Sequence, residues 1–404
     1  MKLINKYKFS VFSGTNYFKE YLLILKYIIN FFSKKNYILE YEKKASQLYF
    51  KKYAYSFGSG RMALYAGLKA LNIKEGDEII IPPYTCVVVI NAILYCKAKP
   101  IYSDINLKDF NMNLDEALKK FSARTKAIYI QHTFGNYLNY EKIIQICKDN
   151  NIYIIEDCAH YFPKKKMLNS DIVINSSDTS KIYNTYIGGV IFTDDILISN
   201  KLKMIYKNSN EFNIFQKLRI IISFYLSLIL NSPNIFIFSS YLNSILQKIN
   251  FYFNFNDEKI TELPRKNYPF KIFNFIALIG ISQLTNIKKN IDYRSMIVYQ
   301  IDDILEIYNY KSKAPPLLRY SFLVSDRSKF KKIFSEYNLS IWFTSLFEGR
   351  DSDYDKIFYN LGSCPMAEFA SKSIVNLPTH KNININKLIN TIKKNKDSIL
   401  QIKI

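Results

Sequence analysis

Between Gly58 and Asp194 the chain alternates short apolar runs with longer amphipathic ones, and this alternation constrains the fold more than any other feature. Arg61–Leu71 repeats apolar residues at helical spacing and closes on Lys74-Glu75-Gly76-Asp77. Glu78–Ile81 is a short apolar strand stopped by Pro82-Pro83. Helix patterns follow over Thr85–Cys96, Leu114–Phe121 (with Asn113 as cap) and Tyr140–Asp149. Strand patterns cover Pro100–Asp104, Lys126–Gln131, Ile152–Glu156 and Val190–Thr193. Short strands alternating with helices predict an α/β fold, a three-layer α/β/α large domain around a mainly parallel sheet. In such sheets ligands gather at the carboxyl ends of the strands. The residues just past those ends are Tyr84-Thr85, His132, Asp157-Cys158-Ala159-His160 and Ser176–Lys181.

The pattern loosens after Asp195. Residues 200–255 are long, apolar and free of glycine, and predict helices inserted after the sheet. Phe275–Tyr299 reads as one long helix. Strand-like Tyr320–Val324 and Ser373–Leu377 mix with helical Ser328–Tyr337 and Ile385–Lys394, as in a smaller α+β domain. The expected division is an N-terminal helical arm over 1–49 and a large domain over 50–265 with its insert at about 200–255. A linking helix and small C-terminal α+β domain follow over 266–404. With 49% hydrophobic and 16% aromatic residues the chain is too apolar for disorder.

Charge and cysteines bound the setting. Lys and Arg number 56 against 34 Asp and Glu, a net +22, which invites nucleic acid or an anionic membrane as partner. No helix-turn-helix or RNA-binding signature accompanies it, so no nucleic-acid partner is expected. Cys86, Cys96, Cys147, Cys158 and Cys364 form no CxxC pair, and neither a disulfide framework nor a metal site is expected. The opening MKLINKYKFSVFSG lacks an uninterrupted apolar core before a small-residue cleavage site, so no signal peptide and a cytoplasmic setting are expected. A spanning helix needs about 20 largely apolar residues. Tyr21–Phe32 is short and carries Lys26, and Ile220–Leu230 is broken by Asn231-Ser232-Pro233-Asn234. Both read as buried helices, with a membrane-surface helix left open by Lys217 and Arg219.

Three segments carry chemistry. Ser56-Phe57-Gly58-Ser59-Gly60-Arg61 leads into a helix, where glycine admits an anion to free N–H groups; alone it is as compatible with a plain turn. Asp157 ends an apolar strand, and a carboxylate there needs a partner, either a cap, an ion pair or a protonated ring nitrogen. Lys181 lies in the hydroxyl-rich Asn175-Ser176-Ser177-Asp178-Thr179-Ser180-Lys181, followed by Gly188-Gly189; it is either a solvated loop lysine or an amine nucleophile. In this order a phosphate cradle, a strand-end Asp and a Lys meet the needs of pyridoxal phosphate (PLP): an anchor, a partner for the ring nitrogen and an amine for the aldehyde.

At this point the sequence resembles the DegT/DnrJ/EryC1/StrS family of PLP-dependent sugar aminotransferases, on the fold-type I scaffold. The resemblance runs from about Tyr55 to Ile392. It rests on Gly58-Ser59-Gly60-Arg61-Met62-Ala63-Leu64, Gly76–Pro82, Ala98–Asp104, Thr125–Ile128 and His132-Thr133-Phe134-Gly135. It continues through Glu156-Asp157-Cys158-Ala159-His160, Ser176…Lys181…Gly188-Gly189, Ala277…Gly280…Gln283-Leu284, Ala367-Glu368 and Asn376-Leu377-Pro378. The resemblance implies that Lys181 bonds the cofactor aldehyde and shuttles a proton, that Asp157 pairs with the ring nitrogen, and that His160 supports the ring or Asp157. It implies a phosphate held by Ser176 and the backbone at Gly60 and Arg61, and a site at the interface of a C2 homodimer. The implied reaction is ping-pong, with glutamate loading the amino group and a nucleotide-linked keto-sugar receiving it, in surface-polysaccharide synthesis.

The chain departs from the family in places. Arg61 stands where relatives carry a hydroxyl, and Cys86 where they stack an aromatic on the cofactor, with Tyr84 on the same face if that segment is extended. Pro269, with Asn267 nearby, takes the place of an Asn that relatives lend to the partner subunit. Pro163-Lys164-Lys165-Lys166 replaces the usual glycines in a loop expected to border substrate. These departures support an alternative, a catalytically silent paralogue with a binding or regulatory role. Lys181 argues against the family's dehydratases, which carry His there. His132 is an even choice between site and scaffold, His380 reads as a loop residue, and Trp342 and Tyr337 as core.

Overall fold

The computed structural model describes residues 15–401 apart from residue 17, residues 32–34, most of 232–267, 306–315 and most of 336–353. Its main sheet has seven strands in the order β1 (Tyr53–Phe57), β7 (Gly189–Thr193), β6 (Ile172–Ser176), β5 (Tyr153–Asp157), β4 (Thr125–Gln131), β2 (Glu78–Ile81) and β3 (Lys99–Tyr102). The β3, β2, β4, β5 and β6 neighbours pair parallel, whereas β7 runs antiparallel to both β6 and β1. Only β7 is reversed, so the other six strands bring their carboxyl ends to one edge. The strands read from the sequence are all present, each within two residues of its expected bounds. β1 went unread because Tyr53, Ala54 and Tyr55 are all half-buried, which erases the alternation that marks a strand.

The helices between strands form where the apolar period predicts them. Ser59 caps α3 (Gly60–Ala70), its Oγ accepting from Met62 N–H at 3.4 Å. Extended backbone at Cys86 delays α4 to Val87–Leu94. Asn113 caps α5 (Leu114–Leu118) through the N–H groups of Asp115 and Glu116, and α6 covers Glu141–Asp149. Past the sheet come α7 (Ile196–Asn208) and α8 (Ile214–Leu230), the latter begun by a reciprocal Asn213–Gln216 capping box.

The single helix expected over Phe275–Tyr299 is two, α9 (Asn274–Thr285) and α10 (Ile287–Leu305). Asn286 closes α9, its Nδ2 donating to Ser282 O at 2.7 Å and its N–H to Gln283 O at 3.1 Å. The apolar period continues across the break and so conceals it in the sequence. A second sheet pairs β8 (Arg319–Leu323) antiparallel with β9 (Ile374–Pro378). Around it lie α11 (Arg327–Ile333), α12 (Pro365–Ser373) and α13 (Ile385–Lys394).

The helix α2 (Tyr37–Leu48) ties the N-terminal region to this body. Tyr41 packs against Gly280 of α9 so closely that a Cβ at 280 would collide with its ring. The Tyr41 hydroxyl lies 3.1 Å from that of Tyr183, which donates to Asn175 Oδ1 at 2.7 Å; Asn175 Nδ2 in turn donates to Tyr49 OH at 2.7 Å.

On the same helix, buried Glu42 accepts from Ser56 N–H at 2.7 Å and Ser56 Oγ at 2.6 Å. Burial pushes its carboxyl up to about 7, against the Ser56 hydrogen bonds that favour the charged form. The folded chain therefore holds this proton more tightly than the unfolded chain. The resulting stability is present at acid pH and is lost as pH rises toward and through about 7. Glu42→Gln, which keeps an acceptor for Ser56, is expected to flatten that decline. Above neutral pH it should raise stability by at most about 3 kcal/mol, read from melts across pH.

Candidate functional site

The carboxyl edge of the sheet brings the predicted residues together. β1 ends at Phe57 and passes through Gly58 and Ser59 into α3, while β6 ends at Ser176 directly beside it. A Cβ at Gly60 would lie 2.8 Å from Ser176 Cβ and 3.2 Å from its Oγ, and one at Gly189 would collide with Gly60 itself. Glycine is thus required for three segments to meet. The N–H groups of Gly60 and Arg61 precede the first helical hydrogen bond and have no intrahelical acceptor. With the Ser176 hydroxyl beside them they form an anion cradle.

Next to it, β5 ends in Asp157, which is buried. Asp157 Oδ1 accepts from Ala159 N–H at 2.8 Å, a local turn that redirects the chain toward His160. Its Oδ2 accepts from Tyr129 OH at 2.6 Å. Burial pushes the Tyr129 hydroxyl well above the ordinary tyrosine value, and the Asp157 charge adds to it, so this donor stays protonated. Cys86 lies at the start of α4, half-buried and close enough to Tyr129 to contribute in the same sense.

His160 is buried, and its Nε2 lies 3.2 Å from Lys181 Nζ. Burial lowers the His160 imidazole well below its ordinary value, and the Lys181 and Arg319 cations push the same way. The neutral ring accepts from Phe134 N–H through Nδ1 at 3.3 Å, which leaves Nε2 facing the lysine nitrogen. Lys181 itself is half-buried and follows a tight turn in which its N–H donates to Asp178 O at 3.2 Å.

One group in the cradle has the same sign as an anionic ligand. Asp178 is half-buried, and its Oδ1 accepts from Ser180 N–H at 2.9 Å and Ser180 Oγ at 2.7 Å, while Oδ2 lies 3.5 Å from Ser176 Oγ. Burial works to raise its carboxyl, but Lys181, the Ser180 donors and Arg61 together hold it below the usual carboxylate range. The serine end of the cradle therefore already faces a negative charge.

Several residues fall elsewhere than the sequence suggested. His132 is fully buried on the other face of the sheet: Nε2 lies 2.8 Å from Glu156 Oε1, and Nδ1 accepts from Leu138 N–H at 3.1 Å. Glu156 Oε2 accepts from Tyr140 OH and Ser170 Oγ, each at 2.7 Å. His132, Glu156 and Cys158 have ligand-type atoms within 4.8 Å of one another, but protein donors already engage the carboxylate and the imidazole, and burial pushes the Cys158 thiol well up. This cluster is scaffold. Tyr84 packs in the core between Phe110 and Phe134, apart from the half-buried Cys86. Lys164 reaches Ser295 Oγ on α10 at 3.4 Å. The Pro269 carbonyl accepts from Asn210 N–H at 3.0 Å. Tyr337 is buried as expected, whereas Asn267 and Trp342 lie outside the described residues.

Four side chains at the site escaped the sequence reading. His380, taken for a loop residue, lines a small cleft with Lys181, Ser180, Arg294 and Arg319. Arg294 donates to Asn290 Oδ1, Leu318 O and Thr379 Oγ1, which fixes it between α10 and the second sheet. Tyr129 is the fourth. A hydroxyl-bearing residue in the apolar middle of a strand, between Ile128 and Ile130, was its one signal.

Comparison with known proteins bears on the fold and on the stretch that holds these residues. The profile of the DegT/DnrJ/EryC1/StrS aminotransferase family matches residues 27–219. GDP-perosamine synthase of Escherichia coli O157:H7 is 34% identical over 163 residues, 39% of this chain and 45% of that protein. UDP-2-acetamido-2-deoxy-3-oxo-D-glucuronate aminotransferase of Pseudomonas aeruginosa is 28% identical over 180 residues, 43% of this chain and 50% of that protein. The chain thus spans about half the length of the curated relatives it matches. Among solved structures, an aminotransferase from Psychrobacter cryohalolentis superposes with a TM-score of 0.73 at 17% identity, over 97% of this chain and 99% of that one. NtdA of Bacillus subtilis, solved with bound cofactor PMP, gives 0.72 at 18% identity over 98% and 85%. These likenesses establish the fold over nearly the whole chain, and the stretch that builds the cradle, Asp157, His160 and Lys181 lies within the residues that match the DegT/DnrJ/EryC1/StrS aminotransferase family.

Proposed function

We propose that the protein is a PLP-dependent aminotransferase that moves an amino group onto a nucleotide-linked keto-sugar. The observation that carries this reading is the convergence of an anion cradle, a buried carboxylate and a lysine amine at one sheet edge. When bound, pyridoxal phosphate supplies an aldehyde that carries the amino group and a ring that withdraws electrons. The donor set fits that group at three points. Lys181 would hold the aldehyde, Asp157 the ring nitrogen, and Ser176 with the Gly60 and Arg61 backbone the phosphate. Cys86 and His160 would border the ring.

The chain's own residues then have definite tasks. Tyr129 and Ala159 N–H fix the Asp157 carboxylate in one orientation. His160, kept neutral, lies beside the Lys181 nitrogen without adding a second cation there. Lys181 would hold and return the proton at the substrate carbon. The relatives named as acting on GDP- and UDP-linked sugars support a nucleotide-sugar acceptor. Within the same reading the amino donor is glutamate, the product serves a surface polysaccharide, and the site is completed in a C2 homodimer.

The test is spectroscopic. Purified protein with saturating PLP is expected to show a visible absorbance band that glutamate discharges with release of 2-oxoglutarate. Pyridoxamine-phosphate-loaded protein should regain the band when mixed with the matching keto-sugar nucleotide. A colourless protein at saturating cofactor would overturn the reading. Asp178 favours a second possibility, a chain that retains the fold but binds the phosphate weakly. Asp178→Asn keeps an acceptor for Ser180 and removes the like charge, and is expected to tighten PLP about tenfold while leaving unphosphorylated pyridoxal unchanged, measured by absorbance titration. If this substitution alone restores glutamate turnover to an inert wild type, the silent reading prevails.

A further inference from the structure

The helical insert and the N-terminal helix build a face that is apolar and carries no carboxylate. On α8 the side chains of Ile214, Phe215, Leu218, Ile222 and Ile229 are 44–78% exposed. Their spacing puts them in one stripe along the helix. The neighbouring α1 (Leu23–Phe31) exposes Leu25, Ile28 and Ile29 by 54–70%. The two helices are joined, since Ile24 N–H donates to Tyr225 OH at 3.2 Å and the Tyr21 and Tyr225 rings lie 6.4 Å apart. A third segment exposes Tyr241, Ile249 and Phe251. Arg219 ties it to α8, donating from Nε to Phe251 O at 3.0 Å and from Nη2 to Tyr252 O at 2.9 Å.

The charges carried by these segments themselves are of one sign, with Lys35 paired to Glu40 of α2 at 3.3 Å. Residues 21–39 and 212–256 contain no Asp or Glu, and their cations are Lys26, Lys34, Lys35, Lys217, Arg219 and Lys248. Contiguous exposed apolar surface of this kind marks an interaction site. Its occupant must accept apolar side chains at the centre and supply negative charge at the rim. A second copy meets the first need but opposes the second, because a two-fold interface would set these cations against themselves. An anionic bilayer meets both: acyl chains receive the stripe, and headgroups face the lysines. Among the described residues no helix is long and apolar enough to cross a membrane, so the geometry is that of a helix lying in the interface.

We propose that the face formed by α8, α1 and the neighbouring Tyr241, Ile249 and Phe251 docks the protein on an anionic membrane surface. The proposal stands apart from the amino-transfer reading, since no residue of the face belongs to the Lys181 site. It is tested by flotation of the full chain with vesicles of phosphatidylcholine alone and of phosphatidylcholine and phosphatidylglycerol in equal parts. Binding to the anionic vesicles only, released by salt, is the expected result. Phe215→Glu, at the most exposed stripe position, should weaken partitioning more than about tenfold. Lys217→Gln and Lys248→Gln should each weaken it about fivefold. Melting curves check that each variant folds, with Phe215→Ser as the milder alternative. Failure of the wild type to float on anionic vesicles, or a Phe215→Glu variant that floats unchanged, overturns the proposal. So does a wild type that stays in solution as a dimer which Phe215→Glu dissociates, for then the occupant is a second copy.

Discussion

Lys181→Ala is expected to abolish the visible absorbance of the PLP-saturated protein and to lower amino transfer by about four orders of magnitude or more. Among the described residues Lys181 is the amine placed against His160, and alanine leaves neither a group for the aldehyde nor a carrier for the proton. The fold should be indifferent. The side chain is half-buried in a loop, and the turn is held by the Lys181 N–H on Asp178 O, which alanine keeps. The cofactor-free variant should therefore melt within about 0.5 kcal/mol of the wild type in stability. It should still bind PLP through the cradle without colour, detectable by equilibrium dialysis. A variant that keeps both colour and turnover would place the chemistry on another lysine.

Glu156→Ala should do the reverse, leaving the site's own groups in place while unfolding the protein. Glu156 is fully buried and takes hydrogen bonds from His132, Tyr140 and Ser170 at 2.7–2.8 Å. Truncation strands three donors in the core, and replacing one member of a buried charge-bearing network costs about 3–5 kcal/mol. Native stability is commonly about 5–15 kcal/mol, so much of the margin disappears. Denaturant titration of the soluble fraction measures the loss. Glu156→Gln keeps one acceptor and should recover part of it. An unperturbed midpoint for Glu156→Ala would show that water replaces the carboxylate and that the cluster does not hold β4 to β5.

These two residues also show what the sequence could and could not reveal. Glu156 and Asp157 are adjacent on β5, and strand alternation sends one to the scaffold and the other to the site. The strand-end rule found Asp157, whereas Glu156 read only as the last residue of its strand. The same parity decides His132, which the sequence left open between site and scaffold, one residue past Gln131 at the end of β4. Gln131 turns toward Tyr84 and Thr133, and His132 turns away to Glu156. Asp157, His160 and Lys181 were legible because they follow strands directly and because chain order orders them around the edge. Tyr129, Arg294, Arg319 and His380 were not, since each reaches the site through strand register or the packing of the second sheet. The break at Asn286 was invisible for a related reason: the buried stripe of α9 is continued by α10, and burial alone set the period.

The hydroxyl chain from Tyr41 through Tyr183 to Asn175 gives the N-terminal arm an influence on the lysine loop. Asn175 stands one residue before Ser176, and Tyr183 two residues after Lys181, so both anchors of that loop lean on side chains from α2 and its end. A protease cut in the turn between Leu48 and Tyr53 would leave the sheet and every cofactor-facing group covalently untouched. It would nonetheless release the wall against which the Lys181 loop is braced, and the first sign of such nicking would be a drifting cofactor affinity rather than a lost catalytic group.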